Sequence, residues 1–450
     1  MSFLYALKTY VVSLLQRIVY TILKALIKIV VHVYYPHIYL EGKDKLKLKG
    51  PTIVLGNHPN TLMDALNGAL WVDQPVYFLA MARLFKPDWV GNILRFLFCI
   101  PLERRKDNGG GPVDNEDSFR QAIEHLSKHR HLFIAPDGGN ELERNLLPLK
   151  TGTARISLGA ENLQDFQLGL RILPLGYTYF GDREQFGSEM LIQAGEPIFL
   201  KDFAETYASD PQGTVRRLTA LLEKRMQDLL LNVKDEEEDQ MLHTLEELLR
   251  DEAPLPLSDF FQRSKALMHR LRNFAIEEPE QHALFLAQVQ AYAAALKSVR
   301  IRSGAVYLQQ LGPVARQQQL LPFWLLLPIW VFAAINHWPA TALCRFAVRR
   351  FNLHIGYKTT VELCVGLLAI PIFYVLQSLL VEAMSSTAWS WWYLAATIGT
   401  GLITLKNKRR MDNGLSYLKL KNAGPIKDKL AEERAALVTQ LHDLLQSIPQ

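Results

Sequence analysis

Two side chains with acid–base chemistry lie close together in one short stretch of the sequence. His58 follows an apolar run that ends at Gly56, and the carboxylate of Asp64 comes six residues after the histidine. Pro59 disfavours a helical conformation at His58, but its fixed φ suits the first turn of a helix, so the histidine is expected where a strand passes into a helix. Because residues i and i+6 of one helix point about 240° apart, the pair can meet only if His58 lies outside the helix and folds back.

This pair predicts a catalytic dyad. A carboxylate that accepts the Nδ1 proton would fix the imidazole so that Nε2 faces a substrate hydroxyl as a general base. The spacing alone leaves an alternative open, which is a surface histidine with ordinary hydrogen-bond partners.

The composition limits the class of protein. The 450 residues are enough for two or three structural units, and 50 basic against 45 acidic side chains give a net charge of +5, which argues against nucleic-acid binding as the main function. The three cysteines, Cys99, Cys344 and Cys364, form no C-x-x-C pair, so the sequence predicts neither a disulfide framework nor a zinc site. A reducing compartment is compatible with them.

Residues 1–37 predict an amphipathic helix that lies on a membrane surface. Arg17, Lys24 and Lys28 interrupt a long apolar run at spacings that place them within a narrow arc of one helical face. A basic stripe beside a broad apolar face is typical of a helix in the headgroup plane, with its cations near lipid phosphates. The alternatives are a helix packed on the following domain and a signal peptide, although no small-residue cleavage site follows the run.

Residues 38–225 predict an α/β domain around one central sheet, because strand and helix signals alternate there. Strands are expected at 38–40, 52–55, 76–81, 131–135, 171–179 and 190–194, and helices near 60–72, 88–98, 115–130 and 150–160. The strand at 131–135 runs directly into Pro136-Asp137-Gly138-Gly139. These residues are therefore expected at a sheet end, where sites in α/β folds are usually built.

Asn57-His58 with Asp64 resembles the histidine–aspartate signature of the phospholipid/glycerol acyltransferases, which move fatty acyl groups from a thioester to hydroxyls of glycerol phosphate or lysophospholipids. Four further stretches resemble blocks of that family in the same order, and they are Ile100-Pro101-Leu102-Glu103-Arg104, Ala135-Pro136-Asp137-Gly138, Leu147-Pro148-Leu149-Lys150-Thr151-Gly152 and Ile172-Leu173-Pro174-Leu175. The third block of the family usually reads Phe-Pro-Glu-Gly. Five residues separate His58 from Asp64, a spacing that resembles the fungal-type glycerol-3-phosphate/dihydroxyacetone-phosphate acyltransferases.

The resemblance implies a mixed sheet flanked by helices and assigns roles to these blocks. His58 would be the general base and Asp64 would orient it, while Arg104 would bind the phosphate of the acceptor, which suits a planar guanidinium. The further substrate-binding candidates are Asn57, Asp137, Gly138 and Lys150. The chain would need neither a metal nor a cofactor, since the acyl donor, acyl-CoA or an acyl carrier protein, is itself a substrate.

The implied reaction is acyl transfer to glycerol-3-phosphate in phospholipid synthesis, and transfer to lysophosphatidate or another lysophospholipid is the alternative within the family. Two functions of other classes stay open. A metal-dependent hydrolase could use His58, Asp64 and Asp137 as ligands, although no second histidine sits at ligand spacing. A non-catalytic membrane protein could keep the fold as a lipid-binding or scaffolding module.

The rest of the chain predicts helices and then membrane segments. Residues 226–319 show helical periodicity and are expected to form a helical insert of unknown role. Segment 320–345 begins with sixteen uncharged residues before Asn336-His337-Trp338-Pro339, too few for a comfortable span, which predicts a re-entrant or interfacial segment. Residues 359–405 predict a transmembrane hairpin, and residues 406–450 predict a basic and then helical tail.

Basic residues set the expected orientation of the hairpin. Arg345, Arg349, Arg350 and Lys358 precede it, Lys406, Lys408, Arg409 and Arg410 follow it, and the turn at 382–386 has neither lysine nor arginine. The positive-inside rule therefore places both ends of the hairpin, and with them the catalytic domain, in the cytoplasm, and tryptophans 389, 391 and 392 at the far interface. The alternative is that these charge-poor runs form a buried helical core.

Overall fold

The structure, a computed structural model, describes residues 2–103, 115–136, 144–181, 187–252, 255–351 and 358–446, without the side chains of residues 2–13, 61 and 351. The chain forms two compact units, each built from several segments. The first unit comprises Met1–His32, Leu40–Tyr179 and Met190–Asn232, and the second comprises Val33–Tyr39, Phe180–Glu189 and Val233–Gln450.

The strands form one mixed sheet. They are β1 His37–Glu41, β2 Thr52–Gly56, β3 Val76–Met81, β4 Cys99–Leu102, β5 His131–Ile134, β6 Arg171–Phe180, β7 Glu189–Ala194 and β8 Ile198–Phe199. Across the described ranges their order is β1-β7-β6-β2-β5-β3-β4, with β8 paired to β6. The β2·β5, β2·β6, β3·β4 and β3·β5 pairs are parallel, whereas β6 and β8 are antiparallel. The α/β class with a mixed sheet flanked by helices is confirmed.

The central strands are buried on both faces, which explains their continuous apolar sequences. Every residue of β2, β5 and β6 is buried, the pattern expected of strands covered by helices on both sides. In the parallel register Leu55 of β2 lies beside Ile134 of β5 and Pro174 of β6. The carboxyl ends of β2 and β5 therefore share one edge of the sheet, and β6 continues past that edge to Phe180.

The helices of the α/β domain agree with the periodicity of the sequence. After α1 Ser2–Tyr34 come α2 Thr61–Leu70, α3 Asp88–Phe96, α4 Glu116–Ser127, α5 Gly152–Asn162, α6 Ala204–Ser209 and α7 Pro211–Asp228. The sequence does not predict β4 and β8, which hold four and two residues. Strands this short show no alternation, and Pro101 inside β4 is tolerated because β4 lies at an edge of the sheet.

Two basic residues of helix α1 contact the chain just after α2. Lys24 donates a hydrogen bond to the Val72 carbonyl at 2.5 Å, and the Lys28 ammonium lies 5.2 Å from the centroid of the Trp71 ring. These two lysines lie where cations stabilise helix-terminal carbonyls. The exposed residues of α1 include Arg17 and Lys28 and the apolar side chains Leu14, Leu15, Ile18, Ile22, Leu26 and Ile29, and the position of α1 on a membrane surface stays a prediction.

The second unit is mainly helical. Its helices are α8 Glu236–Glu252, α9 Leu257–Glu277, α10 Pro279–Ser298, α11 Ser303–Gln310, α12 Pro313–Phe351, α13 Lys358–Met384, α14 Thr387–Lys406, α15 Lys408–Lys421 and α16 Ile426–Gln446. Within the described part of the chain, two stretches, Pro313–Arg350 and Lys358–Met384, are long and apolar enough to cross a membrane, by length and composition alone.

Helix α12 continues through the polar stretch Asn336-His337-Trp338-Pro339. The helix holds 39 residues and includes Pro339. His337 Nε2 lies 2.8 Å from the Tyr374 hydroxyl, and the Gln377 amide donates to the Asn336 carbonyl at 2.8 Å. Because α13 supplies these partners, the polar groups of Asn336 and His337 are accommodated inside the helix rather than at its end.

The predicted segment 320–345 forms the larger part of the continuous helix α12. Whether this helix is re-entrant, interfacial or spanning depends on the position of the bilayer, so that assignment stays a prediction.

Candidate active site

The loop after β2 is fastened to β6 by an asparagine. The Asn57 side chain accepts a hydrogen bond from the Tyr177 backbone N–H at 2.8 Å and donates one to the Tyr177 carbonyl at 3.0 Å. The side chain is buried, so it continues the hydrogen-bond ladder between the two strands beyond the end of β2. The Asn57 amide oxygen and nitrogen thus hold the loop in place, and its substrate contact stays a prediction.

His58 and Asp64 approach each other across the start of α2. The His58 Nδ1 atom lies 3.5 Å from Asp64 Oδ2, and the imidazole is 22% exposed whereas the carboxylate is fully buried. Helix α2 begins at Thr61, so the histidine lies outside the helix, the arrangement that Pro59 predicts. Nδ1 has no hydrogen-bond partner among the described residues, and catalytic contacts of this kind are often long until substrate binds. The pair can serve as a base and its orienting carboxylate.

Two further groups hold the Asp64 carboxylate. The Asn60 backbone N–H donates to Oδ2 at 2.5 Å, and the Tyr179 hydroxyl donates to Oδ1. A buried ionised carboxylate needs such donors, since burial without them would favour the neutral acid. The sequence does not single out Tyr179, because its strand pattern predicts burial but not a polar contact.

Two glycines allow α2 to lie close to the sheet behind the dyad. A β-carbon at Gly68 would lie 2.3 Å from the Phe133 ring, and one at Gly56 would lie 2.7 Å from the Tyr177 ring. Asp64 precedes Gly68 by about one helical turn, so both lie on the same face of α2. The close approach of the helix to these rings thus determines where the carboxylate stands.

The Tyr177 hydroxyl adds no charge to the site. Burial, reinforced by the nearby Asp64 carboxylate, raises the pKa of Tyr177 well above its usual value. The hydroxyl oxygen has no hydrogen-bond partner in the described part of the chain. The phenol therefore stays neutral around neutral pH, and its ring acts as packing behind the dyad.

The other predicted substrate-binding residues are described only in part. Arg104, Asp137 and Gly138 lie outside the described residues. Lys150 is exposed, and its backbone N–H donates to the Pro136 carbonyl at 3.0 Å. Because Pro136 follows β5, this bond places the Lys150 backbone at the sheet edge where β2 ends.

The described side chains offer no evident metal site. Among them, no group of three or more His, Cys, Asp and Glu side chains could hold a metal ion. Asp137, one of the three ligands in the hydrolase alternative, lies outside the described ranges. The absence of a metal therefore stays a prediction.

Comparison with known proteins assigns the segment that carries the dyad to a family. Residues 37–178 match the family model named Acyltransferase, and this segment runs from β1 almost to the end of β6. It is an acyltransferase domain of the phospholipid/glycerol acyltransferase superfamily, and the resemblance found in the sequence is confirmed.

Two yeast proteins and one solved structure are similar to the chain. It is 31% identical over 124 residues to glycerol-3-phosphate O-acyltransferase 2 of Saccharomyces cerevisiae, and 28% identical over 152 residues to glycerol-3-phosphate O-acyltransferase 1 of that organism. These matches cover 27% and 32% of this chain but only 16% and 20% of the yeast proteins. The crystal structure of the 1-acyl-sn-glycerophosphate acyltransferase PlsC from Thermotoga maritima aligns with a TM-score of 0.34 and 17% identity, over 48% of this chain and 81% of that one.

Proposed function

We propose that the protein is a membrane-bound acyltransferase that moves a fatty acyl group from an acyl thioester to a hydroxyl of glycerol-3-phosphate in phospholipid synthesis. The observation that carries this proposal is the His58–Asp64 pair at the carboxyl edge of the central strands. The names of the two yeast relatives support glycerol-3-phosphate as the acceptor. The five residues between His58 and Asp64 support the same acceptor, because this spacing is typical of the fungal type.

The proposed mechanism uses His58 as the base. Its Nε2 atom removes the proton of the acceptor hydroxyl while the oxygen attacks the thioester carbonyl, and Asp64 orients and stabilises the imidazolium. The tetrahedral intermediate then collapses with cleavage of the carbon–sulfur bond, and the imidazolium returns the proton to the leaving thiolate. No acyl-enzyme is needed, because the acceptor oxygen is itself the nucleophile.

Further groups bind the two substrates in this proposal. Arg104 binds the acceptor phosphate, Lys150 adds a second cation, and Asp137 and Gly138 shape the acceptor site, all by analogy with the family blocks. The N-terminus of α2 adds backbone N–H groups and a positive dipole end for a phosphate or a developing oxyanion. The acyl donor is acyl-CoA or an acyl carrier protein, and no cofactor takes part.

We place the protein at a lipid bilayer with its catalytic domain facing the cytoplasm. Supporting observations are the two long apolar stretches in α12 and α13 and the exposed apolar side of α1. The basic residues that flank the α13–α14 pair support the orientation. A membrane position suits the reaction, since its product is a lipid and the donor chain needs apolar surroundings.

Acyl transfer by membranes that contain the protein tests the proposed reaction. Acyl-CoA is supplied with either labelled glycerol-3-phosphate or labelled lysophosphatidate, in separate reactions. Labelled lysophosphatidate formed from glycerol-3-phosphate supports the proposal. Phosphatidate formed only from lysophosphatidate keeps acyl transfer but overturns the acceptor, and no product from either contradicts the function.

The variant His58→Gln tests the base. Glutamine cannot take up the hydroxyl proton, so kcat is expected to fall by about 10²- to 10⁴-fold, the usual contribution of a general base. His282→Gln in α10 of the second unit serves as a matched control and is expected to transfer acyl groups like the original protein. A His58→Gln variant with undiminished kcat would contradict the mechanism.

A further inference from the structure

The hydrogen bonds at Asp64 hold its carboxylate in one orientation. Oδ1 accepts from the Tyr179 hydroxyl, while Oδ2 accepts from the Asn60 N–H at 2.5 Å and lies 3.5 Å from His58 Nδ1. Rotation of the carboxylate about its side-chain bond would break both hydrogen bonds. The Tyr179 contact therefore keeps the second oxygen pointed at the histidine.

Strand order brings Tyr179 to this position. Strand β6 pairs with β2, and the last residue of β2, Gly56, lies beside Leu175. The residues of β6 beyond Leu175 therefore run alongside the loop that carries His58. Tyr177 and Tyr179 point to the same face of the sheet because they are two residues apart, but the described structure gives only Tyr179 a hydroxyl contact with the carboxylate.

We propose that Tyr179 is a positioning residue of the dyad, which fixes the Asp64 carboxylate and moderates its effect on the protonation of His58. This inference rests on the proposed function, in which His58 must be neutral to accept a proton. A hydrogen bond from the phenol draws negative charge away from the carboxylate. The imidazolium that forms in the reaction is then stabilised less than it would be beside a carboxylate without this bond.

The sign of the effect follows from the groups that face the carboxylate. Among the described residues, the titratable groups placed against Asp64 are His58, from the loop after β2, and Tyr177 and Tyr179, from β6. Because burial raises the pKa of Tyr177, its phenol stays neutral and contributes no titration near neutral pH. Loss of the Tyr179 hydroxyl therefore leaves a more strongly charged partner for His58, and the acid limb of the pH–rate profile moves to higher pH.

The variant Tyr179→Phe tests this inference through the pH dependence of kcat. The midpoint of the acid limb is expected to rise by roughly half to one pH unit, and kcat at neutral pH to fall about three- to tenfold, effects on the scale of one net hydrogen bond. The KM values for donor and acceptor are expected to change little, because Tyr179 acts through Asp64. Tyr177→Phe is the matched control, since it removes a neighbouring buried hydroxyl without a described partner, and its midpoint is expected to stay at the original pH.

A double-variant cycle separates positioning from general damage. In an Asp64→Asn background the Tyr179→Phe change is expected to have no further effect on the midpoint, because its partner charge is already gone. Equal midpoints in Tyr179→Phe and the original protein, or equal shifts in Tyr179→Phe and Tyr177→Phe, would overturn the inference while leaving the acyltransferase function intact. Absence of transfer by the original protein would instead contradict the function itself.

Site-specific 3-fluorotyrosine at position 179 gives a second test that preserves the shape of the side chain. Its more acidic phenol is a stronger donor, so the midpoint of the acid limb is expected to move to lower pH, opposite to the effect of phenylalanine. This test applies even where Tyr179→Phe does not fold. An unchanged or raised midpoint would refute the role of the hydrogen bond.

Discussion

His125 and His131 are two buried histidines on the far side of the sheet from the dyad. His131 is the first residue of β5 and lies beside Thr52, the first residue of β2, so it occupies the edge opposite His58. His125 Nε2 lies 3.1 Å from the His131 carbonyl. Burial lowers the pKa of each histidine from 6.5 to about 4.

The stability of the α/β domain is therefore expected to fall as the pH drops from about 6.5 towards 4. In this range the unfolded chain binds protons on both imidazoles and the folded chain does not, so the stabilisation present above pH 6.5 is lost, by at most about 3 kcal/mol for each histidine. Urea unfolding at several pH values, in a fixed detergent, measures this slope. His125→Gln keeps a donor for the His131 carbonyl and is expected to reduce the slope, whereas an unchanged slope would contradict the assignment.

At the scale of single residues, the sequence predicts that His58 and Asp64 meet, but it does not predict the hydrogen bond from Tyr179 to Asp64. His58 and Asp64 are close in the chain, and Pro59 dictates the bend between them, so their meeting follows from local rules. The contact of Tyr179 with Asp64 depends on β6 being the neighbour of β2 and on the register of that pair. Neither strand order nor register can be read from strand signals alone, which is also why the sequence does not predict the contacts of Asn57 with the Tyr177 backbone.

At the scale of the elements, the packing of α2 against the sheet determines the position of Asp64. Gly68→Ala would place a methyl group 2.3 Å from the Phe133 ring, so the helix has to move outwards and take Asp64 with it. Overpacking of this kind costs roughly 1–3 kcal/mol, more than the gain of about 1 kcal/mol in helix propensity. We expect lower stability in urea unfolding and a fall in kcat of about tenfold or more, because small displacements near the chemistry cost large factors in rate.

The change Gly159→Ala in α5 is a suitable control for this prediction. A β-carbon there would meet only the flexible end of Ile123, at 3.0 Å. This variant is expected to gain or keep stability and to keep kcat. Equal losses in the two variants would mean that the effect arises from any alanine in a helix of this domain and not from the contact of α2 with Phe133.

The elements with long regular patterns could be predicted, and the exceptions have physical reasons. The buried strands β2, β5 and β6 carry continuous apolar runs, so their positions follow from composition. The strand β4 is short and contains Pro101, so its sequence does not predict a strand. The proline is tolerated there because β4 lies at the edge of the sheet. In α12, Asn336, His337 and Pro339 have the character of a helix end, but Asn336 and His337 have hydrogen-bond partners on α13, and such tertiary contacts are invisible in a local pattern.

At the scale of the whole molecule, ion pairs of the second unit connect the chain before the apolar helices α12–α14 with the chain after them. Just before α11, Arg302 pairs with Asp412 of α15 at 3.1 Å. Arg434 of α16, which is 2% exposed, pairs with Glu252 of α8 at 2.9 Å. If the protein spans a bilayer, the segment before α12 and the segment after α14 therefore lie on the same side of it. The chain between these two segments then crosses the bilayer an even number of times.

Contacts at the ends of α13 and α14 indicate which helices cross. Near the start of α13, Glu362 accepts a hydrogen bond from the Tyr34 hydroxyl at 3.0 Å. At the end of α14, the Lys406 carbonyl lies 3.1 Å from His37 Nε2. We call the side of the bilayer that holds α15 the near side. Lys406 directly precedes α15, so Lys406 and its partner His37 lie on the near side, and Tyr34 and its partner Glu362 lie there too because Tyr34 is close to His37 in the chain. The turn at Ser385 is then the far end of the α13–α14 pair.

We therefore expect α13 and α14 to cross as a hairpin and α12 to remain on the near side, although α12 and α13 are the helices whose length and composition suit a span. Single cysteines test this in a background where serine replaces Cys99, Cys344 and Cys364. With a membrane-impermeant maleimide on intact cells, Ser385→Cys is expected to react at once and Arg350→Cys only after permeabilisation, because we propose that the cytoplasm is the near side. The reverse pattern would show that α12 and α13 cross instead, and protection of both sites would show that neither Arg350 nor Ser385 lies on the far side of the membrane.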